Sequence, residues 1–170
     1  MRALVTGFEA FGGDSVNATQ SALKRLPPVI KQIEIETLLL PVSFARAPGV
    51  LAAGIEQFAP DVVLCVGEAG DRHAFCLERV ATNLCDARIA DNDGARPAGC
   101  KSIEDGPAAY FSTLPVNNML AALREALTTE LKKQNDPRLL GQGDVFEQYL
   151  SPRGSGEEGN SKKKKKAKQD

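Results

Sequence analysis

Asp61-Val-Val-Leu-Cys-Val-Gly67 decides the class of the fold. The run is short and rich in β-branched residues, apolar at both alternating sets of positions, with Pro60 before it and Gly67 after it. Such a run reads as a strand buried on both faces, the kind found in parallel sheets covered by helices. Upstream of it, Ser43 to Phe58 places Val50, Leu51, Ile55 and Phe58 near a period of 3.6, which predicts a helix. Ile33-Glu-Ile-Glu-Thr-Leu-Leu-Leu40 reads as a second strand, and Ala3-Leu-Val-Thr6 as a third that ends at Gly7. Asn17 stands at an N-cap position ahead of a helix over Ala18 to Leu26, which Pro27-Pro28 stops. Downstream, Val116 to Lys133 sets Met119, Leu120, Leu123, Leu127 and Leu131 on one helical stripe. Strands alternating with helices predict a single α/β domain in three layers, a mixed and mostly parallel sheet with helices on both faces. No internal repeat is present. Ligands of such sheets gather at the carboxyl ends of the strands, so a site is expected at the loops Gly7 to Asn17 and Gly67 to Arg72.

Composition narrows the function classes. The chain has 170 residues, 42% hydrophobic and 25% charged, which suits one soluble domain plus an appended segment. No apolar run approaches the roughly 20 residues of a membrane helix. The opening Met-Arg-Ala-Leu-Val-Thr-Gly7 lacks the longer apolar region of a secretory signal, so a cytoplasmic protein is expected. Cys65, Cys76, Cys85 and Cys100 lie 11, 9 and 15 residues apart, and His73 is the one histidine. No zinc spacing can be built from these, so neither a metal nor a cofactor is expected, and the thiols should be reduced.

The net charge of −1 conceals two regions of opposite sign. Residues 153–170 carry Arg153, Lys162 to Lys166 and Lys168 against Glu157, Glu158 and Asp170, a balance of +4 that leaves the body at −5. This tail has a single alanine and no other apolar side chain, so it cannot offset the entropy of ordering and should be disordered. It is either a plainly solvated end or a weak, nonspecific binder of polyanions.

Four loop segments carry the chemistry. Gly7-Phe-Glu-Ala-Phe-Gly-Gly-Asp14 has the Gly-x-x-x-x-Gly spacing of a phosphate loop, but Gly13-Asp14 replaces the Lys-Ser/Thr that must follow. Aspartate there repels phosphate, and Phe8 and Phe11 suit a flat, neutral, partly apolar ligand; the same two rings could equally pin the loop to the core. Gly67-Glu-Ala-Gly-Asp-Arg72 follows the best strand and can direct Glu68 or Arg72 into a cleft. Glu78-Arg-Val-Ala-Thr-Asn83 places a carboxylate between Leu77 and Val80, where partial burial would demand a partner. That partner is either an arginine, Arg79 or Arg88, or a catalytic base that Glu78 orients. Gly106-Pro-Ala-Ala-Tyr-Phe-Ser-Thr-Leu-Pro115 reads as an ordered loop.

Together with Asp86-Ala-Arg-Ile-Ala-Asp-Asn-Asp-Gly94, these segments resemble pyroglutamyl peptidase I, also called pyrrolidone-carboxylate peptidase. Five motifs occur in that family's order and spacing over about residues 1–126. The resemblance implies a cytosolic cysteine peptidase that removes N-terminal 5-oxoproline from peptides, with a Cys-His-Glu apparatus and frequent assembly into dimers or tetramers. It implies that Glu78 is the acidic member orienting the imidazole and that Arg88 lies near the developing oxyanion. Phe8 and Phe11 would wall the pyroglutamyl pocket, with Ile89 an apolar contact beside them. Glu68 stands where many members carry glutamine; a carboxylate accepts from the lactam N–H but cannot donate to its carbonyl. Asp71 replaces a usual glycine and Ala90 a usual proline.

After about Ala126 the resemblance stops. The family continues into a Ser-Ala-Gly-Thr-Phe-Val-Cys-Asn-like segment that supplies the nucleophile, and then to a catalytic histidine. Here no cysteine follows Cys100 and no histidine follows His73. On a strand Cys76 and Glu78 would share a face, but a carboxylate activates a thiol poorly, and a nearby negative charge thins the thiolate population. The expectation is therefore an incomplete peptidase-like domain over 1–126, a divergent helical or irregular segment over 127–152 and the disordered tail over 153–170. Truncation, aberrant splicing or a frame change would each yield such a chain, inactive as written. The alternative expectation is a catalytically dead binding module. Strand edges left uncovered by the missing part would favour self-association.

Overall fold

A computed structural model describes residues 1–70 and 75–133. His73, Arg72 and Asp71 lie outside the described residues, as do Leu139, Leu140, Val145, Phe146, Leu150 and the lysine tail.

Strand β1 (Arg2–Phe8) is the middle of the main sheet, and its five central residues are all buried. It pairs in parallel with β3 (Ile33–Leu40) on one side and with β4 (Val62–Cys65) on the other. A short β2 (Val29–Ile30) adds antiparallel to β3, giving the order β2-β3-β1-β4. The sheet is thus mixed and mostly parallel, as the sequence predicts. β2 and β3 are joined at Lys31 and Gln32, with Lys31 at φ 55°, a conformation that glycine adopts at lower cost. No glycine signals that turn, so the hairpin is not apparent from the sequence.

Helices α1 (Ala18–Leu23) and α2 (Ala47–Phe58) cover opposite faces of the sheet. A Cβ at Gly54 of α2 would meet Leu38 and Leu4, whereas a Cβ at Gly7 would meet Thr19 and Leu23 of α1. Residues 4 and 7 of one strand point to opposite faces, so the two helices sit on different sides and the three layers follow. Leu4, 1% exposed, and Leu40 are the most deeply buried apolar side chains.

Helix α1 is shorter than its pattern suggests, because Lys24 to Leu26 close it with tight i→i+3 and i→i+4 bonds. Helix α2 begins at Ala47 rather than Ser43. Ser43 instead makes a turn that accepts the Arg46 N–H on its hydroxyl, and Pro48 occupies the first helical turn, where a missing N–H costs nothing. Ala59 ends α2 in the left-handed conformation, with Pro60 preventing its continuation. Arg2 lies 4.1 Å from the centroid of Phe58, and its N–H donates to Asp61 at 2.7 Å, so both ends of the α2–β4 connection are held to β1.

The chain divides into two compact units, Met1–Asp71 with Thr82–Tyr110, and Arg72–Ala81 with Phe111–Asp170. The first holds the sheet and both helices. In the second, α3 (Val116–Lys133) has half-buried Met119, Leu120, Leu123 and Leu127 on one stripe, as their spacing predicts. Strands β5 (Val80–Thr82) and β6 (Ala109–Phe111) form a separate two-stranded sheet, so the Gly106–Pro115 segment is part strand rather than wholly loop. Three residues per strand are too few for a period-2 pattern to register.

Gly7 is required because α1 approaches the sheet there: a Cβ would lie 2.9 Å from Thr19 Oγ1 and 3.0 Å from Leu23 Cδ1. Gly7→Ala is expected to destabilise the protein by about 1–3 kcal/mol, the usual cost of overpacking. Urea unfolding checks this, with a lower midpoint and an unchanged slope.

Candidate functional site

The site grows from the carboxyl end of β1. Phe8 is half-buried at the strand's last position, and its N–H donates to Thr19 Oγ1 at 2.8 Å. Thr19 is itself held by Asn17, whose Oδ1 accepts from the Thr19 N–H at 2.8 Å and from its hydroxyl at 2.6 Å. Asn17 Nδ2 donates back to the Glu9 carbonyl at 3.2 Å. One buried amide thus caps α1 and closes the loop that carries Phe11. Gly12 and Gly13, at φ 66° and 92°, form the turn that reverses this loop, closed by Asp14 N–H to the Phe11 carbonyl at 3.1 Å.

A second excursion, residues 86–96, is laid against this turn. Ile89 Cδ1 lies 3.8 Å from where a Cβ on Gly12 would stand. Glu9 Oε1 accepts from Val42 N–H at 3.1 Å and from Asn92 Nδ2 at 3.2 Å, and the same Asn92 amide donates to the Ala10 carbonyl at 2.9 Å. Asp91 Oδ2 accepts from Phe44 N–H at 2.8 Å, while its Oδ1 accepts from Ala95 N–H at 2.7 Å and Asp93 N–H at 3.0 Å. Arg46 grips Asp93 with two bonds, Nε to Oδ2 at 2.8 Å and Nη2 to Oδ1 at 2.9 Å. Three backbone donors hold Asp91 below its ordinary pKa, the Phe44 N–H foremost. The Arg46 and Ser43 hydrogen bonds pull Asp93 down to about 2.

Of the residues singled out in the sequence, the structure brings together the Phe11–Gly12 turn and Ile89, with Phe8 at the base of the same loop. Arg88, next to Ile89, is exposed. Glu68 is also exposed, and its Oε2 accepts from Ala18 N–H at 2.7 Å, so this carboxylate helps cap α1 and ties the loop after β4 to the start of that helix. Glu78 lies in the second unit and is exposed, not partly buried. The segment before Val80 is irregular backbone, so the strand geometry expected to give Cys76 and Glu78 a common face does not apply. In the same unit a cavity of about 270 Å³ is lined by Arg79, Ser112 and residues 114–118. Glu9, Asn92 and the Arg46–Asp93 pair form the support that sequence reading missed, and Asn17, legible as an N-cap, adds a bond to the Glu9 carbonyl that the sequence does not show. The Asn92-Asp93-Gly94 turn chemistry was a visible signal, but its partners across the fold were not.

An open α/β sheet with its ligand loops gathered beyond the carboxyl ends of parallel strands defines the class. The family model described as pyroglutamyl peptidase matches residues 1–130. The pyrrolidone-carboxylate peptidase of Streptococcus pyogenes serotype M1 is 48% identical over 126 residues, 74% of this chain and 59% of that protein. The solved pyrrolidone carboxyl peptidase of Pyrococcus furiosus is 40% identical, with a TM-score of 0.71 over 74% of this chain and 61% of its own. Pyroglutamyl peptidase I of Bacillus amyloliquefaciens is 37% identical, with the same TM-score and coverage. The chain belongs to the pyroglutamyl peptidase family and spans about three-fifths of the length of the relatives it matches. Among the described residues no helix is long and apolar enough to cross a membrane, and no metal-ligand cluster occurs.

Asp93 titrates lower folded than unfolded, so its pairing with Arg46 stabilises the fold above about pH 4 and the contribution fades as pH falls towards about 2. NMR titration should place the Asp93 midpoint near 2 in the parent and closer to the ordinary 3.8 in Arg46→Gln. Equal midpoints near 3.8 in both proteins would contradict the pairing.

Proposed function

We propose that the loops after β1 and β4 and the 86–96 excursion, all in the first unit, form the pocket for the N-terminal 5-oxoproline of a peptide, in a chain that binds this group but does not hydrolyse it. The observation that supports the reading is the placement of Ile89 against the Gly12 backbone, next to Phe11 on the loop after the central parallel strand. A pyroglutamyl end is uncharged and carries no ammonium for a carboxylate to grip. Its recognition must come from apolar walls and from hydrogen bonds to the lactam. In this reading Phe8 and Phe11 wall the ring, Ile89 touches its methylenes, and Glu68 accepts the lactam N–H through the oxygen that does not hold Ala18. Arg88 faces the carbonyl oxygen on which charge would develop, and Glu78 is the acidic residue of the family's triad. The ligands would be N-terminally pyroglutamyl peptides in the cytoplasm.

Hydrolysis needs a thiolate on the carbonyl and an imidazole to move the proton. The cysteines of this chain are Cys65, Cys76, Cys85 and Cys100, none within a Gly-Thr-Phe-Val-Cys-like segment, and its histidine is His73. That inventory supports binding without turnover. The chain should release no chromophore from a chromogenic pyroglutamyl amide above the buffer blank. Release that disappears on replacing Cys76 or His73 would overturn the inactive reading while leaving the family assignment intact.

A further inference from the structure

Cys85 and Cys100 stand directly opposite each other as an isolated antiparallel bridge. They exchange both backbone hydrogen bonds, Cys85 N–H to the Cys100 carbonyl at 2.6 Å and Cys100 N–H to the Cys85 carbonyl at 3.1 Å. A pair bonded in this way has its Cα atoms about 5.5 Å apart, with both side chains on one face. Disulfides span Cα separations of about 4.4–6.8 Å, which this pair meets, while its Cβ atoms, about 5.5 Å apart in a hydrogen-bonded pair, must close to about 4.5 Å or less for the bond to form. Each thiol has a weak polar neighbour that it must leave to pair: Cys100 Sγ lies 3.8 Å from the Cys85 carbonyl, and Cys85 Sγ is 3.1 Å from Ser102 Oγ. The register is held from outside the pair. Buried Asn83 accepts the Ser102 and Ile103 N–H groups at 2.9 and 2.8 Å and donates to the Ile103 carbonyl at 2.7 Å.

From this juxtaposition we propose that Cys85 and Cys100 form a reversible intramolecular disulfide by exchange with a small-molecule disulfide such as glutathione disulfide. Cys100 is exposed and Cys85 half-buried, so the Cys100 thiolate attacks first. It forms a mixed disulfide and expels one small thiolate, which takes up a proton. The Cys85 thiolate then attacks the Cys100 sulfur and expels the second small thiol. Two protein thiols are oxidised and one small disulfide is reduced to two thiols. The bond closes the base of the 86–99 excursion, the segment that carries Arg88 and Ile89. Its formation is independent of whether those residues bind a lactam.

The four cysteines allow a decisive mapping experiment on the full chain. The protein is equilibrated with glutathione disulfide and glutathione, its remaining thiols are alkylated in acid, and the digest is mapped by mass spectrometry, in buffer and in urea. In buffer the expected product has lost two hydrogens and carries a Cys85–Cys100 link. In urea, loop-closure entropy favours the nine-residue Cys76–Cys85 separation over the fifteen-residue one by about twofold, so the preference should reverse. Cys85→Ser and Cys100→Ser should each leave a glutathione adduct on the remaining partner. Links through Cys65 or Cys76 in buffer, adducts without a link, or the same distribution in both solvents would overturn the proposal.

Discussion

The Asn17 side chain, 1% exposed, is the constraint from which the site follows. Its oxygen takes two bonds from Thr19 and its nitrogen gives one to the Glu9 carbonyl. An N-cap of this kind contributes about 1 kcal/mol, and leaving its buried partners unsatisfied would cost about 1–3 kcal/mol more. Thr19 in turn passes its acceptor to the Phe8 N–H, so the last residue of β1, the loop after it and the first turn of α1 move as one body. The arrangement also explains Gly7: Thr19 and Leu23 occupy the space a side chain would need. Without that close approach the hydroxyl could not reach Phe8.

Electrostatics assemble the second half of the site on this frame. Glu9 and Asn92 tie the loop after β1 to the 86–96 excursion, and Asp91, Asp93 and Arg46 tie that excursion to the turn before α2. These groups are largely at the surface, where single ion pairs contribute little. Their worth here lies in position, because they set Ile89 against the Phe11 turn. The Arg46–Asp93 contact is bidentate, the geometry in which arginine is most selective.

Much of this architecture is legible in the chain itself. Ile33–Leu40 begins and ends where its pattern and flanking residues place it, Val116 begins α3 as its pattern predicts, and Asn17 caps the helix it precedes. Periodicity reports which residues share a face, so long regular elements are read well. It is silent where a local bond competes, as at Ser43, whose turn takes four residues from the start of α2. It is silent also for β2, β5 and β6, two or three residues each, and for Lys31, which enters a left-handed turn without being glycine. Motifs found Phe8, Phe11 and Ile89, but the bonds that bring them near one another span up to 83 positions of sequence and leave no local trace. The apolar neighbours of Glu78 suggest partial burial, but on irregular backbone those neighbours do not dictate its exposure.

The Asn17–Thr19 cluster holds the loop after β1 that the proposed function assigns to lactam binding. NMR titration of the full chain with a pyroglutamyl amide tests it most directly. Amide shifts at Phe8, Phe11, Gly12 and Ile89 should move together and saturate, and the response should collapse in Asn17→Ala while the β1–β3 amides keep their positions. Saturating shifts elsewhere on the protein, or an undiminished response in Asn17→Ala, would contradict the account.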